Sequence, residues 1–128
     1  MKQLVDVPGL ADVREFAYAQ CAVAGDFIFV AGQTAIDEHL NLVSSDFGPQ
    51  ARQVFENIRR ALNAAGADLH DILTMTVHLA DIRDAPDFLA IRKELLGDDL
   101  APSAVLGGAQ FVAPGALVEV QATAVRPR

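Results

Sequence analysis

Apolar and polar positions follow two rhythms along this chain. The stretch CAVAGDFIFVAGQ, Cys21 to Gln33, reads as a hairpin. Ala22 to Ala24 forms a short strand, Gly25-Asp26 the two-residue turn, and Phe27 to Ala31 the second strand. A helical rhythm follows, with Val54, Ile58, Ala61, Leu62 and Ala65 on one stripe and Arg52, Glu56, Arg59 and Arg60 opposite. Asp46 is placed to cap this helix, Pro49 lies near its first turn, and Gly66 ends it. In DILTMTVHLAD the period returns to two. Leu73, Met75, Val77 and Leu79 are expected on one face, and Ile72, Thr74, Thr76 and His78 on the other. A second helix is expected from a cap at Asp84, with Pro86 in its first turn, an apolar stripe of Phe88, Ile91 and Leu95, and a stop at Gly97. The chain closes with a strand near Ala104 to Ala109, a Pro114-Gly115 turn and a strand from Leu117 to Val125. In that last strand Val118, Val120, Ala122 and Ala124 share a face, and Glu119, Gln121 and Thr123 the other.

The order is strands, helix, strand, helix, strands, which gives an α+β sandwich with two helices on one face of a sheet. The 128 residues suffice for one domain, residues 1–128, and a chain of this size buries roughly two thirds of its unfolded surface. Two helices cover only one sheet face, yet Phe27-Ile28-Phe29-Val30-Ala31 is apolar on both. A hydrophobic fraction of 52% and a mean hydropathy of +0.26 point the same way. A symmetric self-associating ring is the economical cover.

Charge narrows the partners. The formal net charge of −7 opposes phosphate backbones, and the cations are scattered apart from the short tail Arg126-Pro-Arg128, so nucleic acid is not expected. One cysteine excludes an internal disulfide framework. Neither a signal-peptide pattern nor a membrane-length apolar run is present, so a soluble cytoplasmic protein is expected, with no membrane partner. His39, His70 and His78 have no partner at ligand spacing and form no cluster with Cys21, so no metal is expected. There is no GxGxxG, phosphate loop or GxSxG, hence no cofactor motif.

Four side chains merit weighing. Cys21 has no cation beside it in sequence and reads as a buried structural thiol. His78 shares a strand face with Thr74 and Thr76 and reads as a hydrogen-bonded strand histidine rather than a catalytic one. Tyr18 reads as a half-buried packing residue rather than an acid. Glu119, mid-strand among apolar neighbours, reads equally as a pocket residue or as part of a solvated face. The stretch DDLAPSAVLGGAQ, Asp98 to Gln110, lies where a pocket wall is expected but offers no acid, base or cation after Asp99.

Several segments together resemble the RidA/YjgF family, the reactive-intermediate deaminases, some of which carry the older name L-PSP endoribonuclease. AYAQCAVAGDFIFVAGQTAID resembles the family's first strand block, QARQVFENIRRALNAAGADLHDILTMTVHLAD its helix–strand block, and PGALVEVQATAV its last strand. The similarity runs from about Phe16 to Val125. It implies a chorismate-mutase-like α+β fold, one mainly antiparallel mixed sheet with two helices on one face, and a homotrimer whose sheets surround a central barrel with clefts between subunits. It also implies hydrolysis of enamines or imines to a 2-oxo acid and ammonia. In the archetype an Arg of a Pro-Ala-Arg-Ser/Thr motif holds the substrate carboxylate, a planar guanidinium being suited to bidentate pairing, and a strand Glu handles the attacking water.

In LAPSAV, Pro102 stands at the Arg position, while Ser103 and Val105 remain. Glu119 matches the family Glu, Gln121 replaces a second acid of many members, Tyr18, Gly32 and Gln33 match, and Ala31 replaces a frequent Ser. The resemblance thus implies Glu119 as the catalytic group and Tyr18, Ala31, Gly32, Gln33, Pro102, Ser103 and Gln121 as cleft lining. Arg92 is a candidate replacement cation, weighed against a solvated helix arginine. The expected function is hydrolysis or deamination of a small enamine or imine other than the archetypal 2-imino acids. The alternative is a non-catalytic trimer that binds a small ligand. A ribonuclease is disfavoured by acidity and by the lack of a paired histidine set.

Overall fold

The structure, a computed structural model, describes residues 1–127; Arg128, the end of the basic tail, lies outside the described residues. Its strands are β1 (Gln3–Leu4), β2 (Cys21–Ala24), β3 (Phe27–Gln33), β4 (Ile72–Leu79), β5 (Ser103–Leu106) and β6 (Val118–Val125), and its helices α1 (Phe47–Ala64) and α2 (Ala85–Leu96). They form one six-stranded sheet in the order β1-β2-β3-β6-β4-β5. All pairs are antiparallel except β4 with β5, which the chain joins through α2. That fits the need of parallel neighbours for a long crossover. The last strand, β6, enters between β3 and β4 at the centre of the sheet.

Both helices pack on one sheet face. Ile28, Val30, Met75, Val77, Leu79, Val118, Val120, Ala122 and Ala124 meet Val54, Phe55, Ile58 and Leu62 of α1 and Phe88 of α2 in one buried cluster. The Phe55 and Phe88 rings stack at 5.7 Å. Strict alternation in β6 buries Val118, Val120, Ala122 and Ala124 and leaves Glu119, Gln121, Thr123 and Val125 for the face without helices. The period-two pattern therefore settles which side of the sheet Glu119 faces.

Several expectations need correction. Leu73 is not on the buried face. The β4–β6 register shifts between Ile72 and Thr74, so Leu73 is the extra residue and is exposed, while Ile72 takes the buried place. Of the expected inward stripe of α2, Phe88 and Ile91 are buried and Leu95 is not. Leu95 is exposed, and the side chains that reach inward include Ala85, Phe88, Ile91 and Leu96. Arg92 lies on this side too, with its guanidinium 5.4 Å from the Phe88 ring centroid. The seam thus follows Ala85, Phe88, Ile91 with Arg92, and Leu96, with an arginine stem lying along one apolar position. Asp46 and Asp84 occupy the expected N-cap positions, but neither side chain makes a capping hydrogen bond. The fifth strand ends at Leu106, short of the expected Ala109, and Gly107 next to it passes so close to Ile82 that a Cβ would meet its Cβ at 2.5 Å. β1, absent from the sequence reading, extends the sheet beyond β2.

Candidate functional site

The face without helices carries one row of side chains that crosses four strands. His78 of β4 stands opposite Glu119 of β6 and beside Leu106 of β5. On the other flank β3 pairs Gln33 with Val120 after a register shift between Val30 and Gln33. That irregularity sets Gly32 beneath the Glu119 side chain. A Cβ at position 32 would lie 2.6 Å from Glu119 Oε1 and 2.8 Å from its Cδ, so the carboxylate rests on bare backbone that only glycine leaves open.

Tyr18 completes the row. Its side chain is half-exposed, and its phenol is pushed above the ordinary value first by burial and then by the charge on Glu119. Both causes keep the ring hydroxyl protonated, a donor within the electrostatic reach of the carboxylate. The segment that bears Tyr18 is tied to β3 through amides. Gln33, buried at 3% exposure, donates from Nε2 to Gln20 Oε1 at 2.8 Å and to the Ala31 carbonyl at 3.0 Å. The Ala31 N–H donates to the Gln20 carbonyl at 2.9 Å, and Gln20 Nε2 to the Ala11 carbonyl at 3.1 Å. Gln33 and Ala31 thus hold the Tyr18 segment through bonds of their own; the amide of Gln33 is committed inward.

Two buried amides of α1 steady the same strands. Gln50 donates to the Ser44 and Gly115 carbonyls and accepts the Leu117 N–H, fixing the entry to β6. Asn57 donates to the Thr34 and Ile36 carbonyls, fixing the exit from β3. Gln50 and Asn57 are seven residues apart, on the stripe that also carries Val54, Ile58 and Ala61. A polar side chain on an otherwise apolar stripe was the available signal.

The remaining candidates lie elsewhere. Gln121 is exposed one step along β6, opposite Thr76. Pro102 is exposed, and its carbonyl accepts the Met75 N–H at 3.2 Å and the Thr74 hydroxyl at 3.0 Å. Ser103 is in register with buried Met75, so it belongs to the helix side. There its hydroxyl accepts from Arg92 Nη1 at 2.8 Å. Arg92 also reaches Met75 Sδ at 3.8 Å and lines a hollow of about 350 Å³ with Met75, Leu89, Leu96, Leu100 and Ala101. Burial lowers its pKa. It is therefore not the solvated helix arginine of the sequence reading. Within one protomer the candidates divide: Tyr18, Gly32, Glu119 and Gln121 on the open face, Arg92 and Ser103 on the other.

Cys21 is buried, its thiol pushed up to about 11 by desolvation, and its Sγ lies 3.8 Å from the Ala61 carbonyl. His78 is half-buried, and the hydrogen-bonded strand histidine expected there is not found: its ring makes no hydrogen bond among the described residues, and Thr74 bonds Pro102. The position of His78 opposite Glu119 went unnoticed in the sequence because alternation gives a face but not a register. Among the described residues no group of three acidic, His or Cys side chains is placed to hold a metal, and no helix is long and apolar enough to cross a membrane.

The family profile described as Endoribonuclease L-PSP matches residues 12–126. A RutC family protein of Pyrococcus horikoshii is 36% identical over 110 residues, 85% of this chain and 86% of that one. A 2-iminobutanoate/2-iminopropanoate deaminase of Rattus norvegicus is 32% identical over 111 residues, 86% of this chain and 80% of that one. The crystal structure of a putative endoribonuclease from Thermotoga maritima superposes with a TM-score of 0.91 at 26% identity, covering 100% of both chains.

Proposed function

Because the chain belongs to the Endoribonuclease L-PSP family, the RidA/YjgF family of the sequence resemblance, we propose that it hydrolyses the C–N bond of a small enamine or imine in clefts between the subunits of a homotrimer. One observation carries this reading: the Glu119 carboxylate rests over Gly32 on a sheet face that no helix covers, with Tyr18 near enough to feel its charge. The deaminase name of the rat relative supports the reaction class. Glu119 accepts a proton from water as the oxygen adds to the imine carbon and passes it to the nitrogen, while Tyr18 donates a hydrogen bond to the new hydroxyl oxygen. The hydroxyl proton follows to the nitrogen, and ammonia leaves as the carbonyl forms.

The substrate differs from the archetypal 2-imino acids. Pro102 brings no cation to the motif position, and Arg92 is engaged with Ser103 on the opposite side of the sheet. Losing a bidentate charged contact costs on the order of a hundredfold or more in rate. Imines without an α-carboxylate therefore fit better. The open face supports the trimer: Phe27 and Phe29 are 45% and 47% exposed, and Val125 extends the same apolar patch.

Ammonia release from a panel of imines generated in situ tests the proposal. Turnover is expected for imines lacking a carboxylate, with 2-iminopropionate slower by about a hundredfold and partly recovered by Pro102→Arg. Rapid hydrolysis of 2-iminopropionate by the unaltered protein would overturn the substrate assignment and mean that another cation, with Arg92 the first to test by substitution, binds the carboxylate. Saturable binding of imines or small lactams with no ammonia release would make the protein a ligand-binding trimer instead.

A further inference from the structure

The row that places Glu119 over Gly32 has a second ionisable member. His78 is the direct antiparallel partner of Glu119. Side chains in such a pair stand with Cβ atoms about 4.5–5.5 Å apart on one face. The two do not bond each other, and Glu119 leans the other way, towards β3. His78 is half-buried among Leu106, Glu119 and Thr76, and its ring makes no hydrogen bond among the described residues. A half-buried imidazole with no structural partner, next to the one carboxylate on this face of the row, is placed to act on a ligand lying between them. From this geometry we infer that His78 is a catalytic acid–base residue, working with Glu119 on the two ends of the reacting C–N bond. The inference rests on the hydrolase reading above and adds a residue to it.

The proton account closes. Glu119 as carboxylate takes a proton from water while the oxygen bonds to the imine carbon. His78 as imidazolium gives its proton to the imine nitrogen, which leaves a neutral carbinolamine. Glu119 then returns its proton to the amine nitrogen, neutral His78 removes the hydroxyl proton, and the C–N bond breaks to give carbonyl and ammonia. Both side chains regain their starting states, and one water is consumed per imine. A lone carboxylate would have to serve both atoms in turn; a carboxylate and an imidazole on adjacent strands serve both at once.

The groups that face His78 are few. Glu119 comes from β6 and Leu106 from β5, with Thr76 and Gln121 in the next row, and Tyr18 lies beyond Glu119. A change in the pH dependence of turnover can therefore be traced to the His78–Glu119 pair.

The test uses the full chain and the imine turned over fastest in the ammonia screen. His78→Gln is expected to lower kcat by roughly a hundredfold, with KM changed less than threefold, and to remove the pH limb contributed by imidazole. In His78→Ala, added imidazole is expected to restore part of kcat, which a merely structural loss would not allow. Unchanged kcat and an unchanged pH profile in His78→Gln, with turnover abolished in a parallel Glu119→Gln, would overturn the role of His78 and leave the hydrolase reading standing. Absence of turnover in the unaltered protein across all imines would sink both together.

Discussion

A methyl group at position 32 would sit 2.6 Å from Glu119 Oε1, well inside contact distance, so Gly32 fixes where the carboxylate can rest. Gly32→Ala is expected to lower kcat at least tenfold with little loss of stability, because the displaced carboxylate can swing over the open face; unaltered kcat would show that the resting place of Glu119 is irrelevant to turnover. Glu119→Gln keeps shape and hydrogen-bonding capacity but removes the charge, and should lower kcat by roughly a hundredfold to ten-thousandfold without changing assembly. Hydrolysis insensitive to that change would move the reaction to Tyr18 or to backbone groups. Cys21 is the converse case, a nucleophile taken out of service. Its thiol rises from an ordinary 9.0 to about 11 because its surroundings disfavour the thiolate. The sign follows: the folded state keeps its proton where the unfolded chain has lost it. Stability linked to Cys21 is thus intact below pH 9 and lost as the pH climbs towards 11. At pH 8 the native protein should resist a thiol-labelling reagent and the denatured protein should take up one equivalent; stoichiometric labelling without unfolding would contradict this burial.

Elements were legible where a single period ran uninterrupted. The alternation of β6 and the apolar stripe of α1 came through as read, and with them the face that bears Glu119. The failures have local causes. The bulge at Leu73 lies in a run of apolar and β-branched residues that fits either face, so nothing in DILTM marks the extra residue. The α2 seam is legible at Phe88 and Ile91 but not beyond them, because an arginine stem fills an apolar position, which an inventory of hydrophobic residues cannot register. The grouping of Tyr18, Gly32 and Glu119 came from resemblance, whereas the separation of Arg92 and Ser103 from them needed strand register. Gln50 shows what a polar residue on a buried stripe does. Gln50→Leu preserves volume yet leaves the Leu117 N–H and the Ser44 and Gly115 carbonyls without their partner. The expected loss is about 2–4 kcal/mol, read as a lower urea midpoint at unchanged slope. A loss under about 0.5 kcal/mol would mean that water takes over those bonds.

At the scale of the molecule, one sheet has two very different faces. The face under α1 and α2 is closed by a continuous core. The other presents Phe27, Phe29 and Val125 to solvent in the isolated protomer, and Phe27 and Phe29 lie 6.5 Å apart between ring centroids. Burying such aromatic side chains between subunits is worth roughly 1.5–3 kcal/mol each, before the cost of association. The proposed homotrimer covers this patch while leaving the Glu119 row at a cleft. Light scattering should therefore give a mass near three times 13.6 kDa, independent of concentration in the micromolar range. Phe29→Glu puts a carboxylate in the patch on each protomer, on the face opposite the core, so the monomer should still fold. It should sediment as a monomer, and if the clefts are completed by a neighbouring subunit, its turnover should fall with its mass. A monomeric Phe29→Glu protein with full turnover would place the whole site within one chain, and a monomeric parent protein would remove the interfacial cleft altogether.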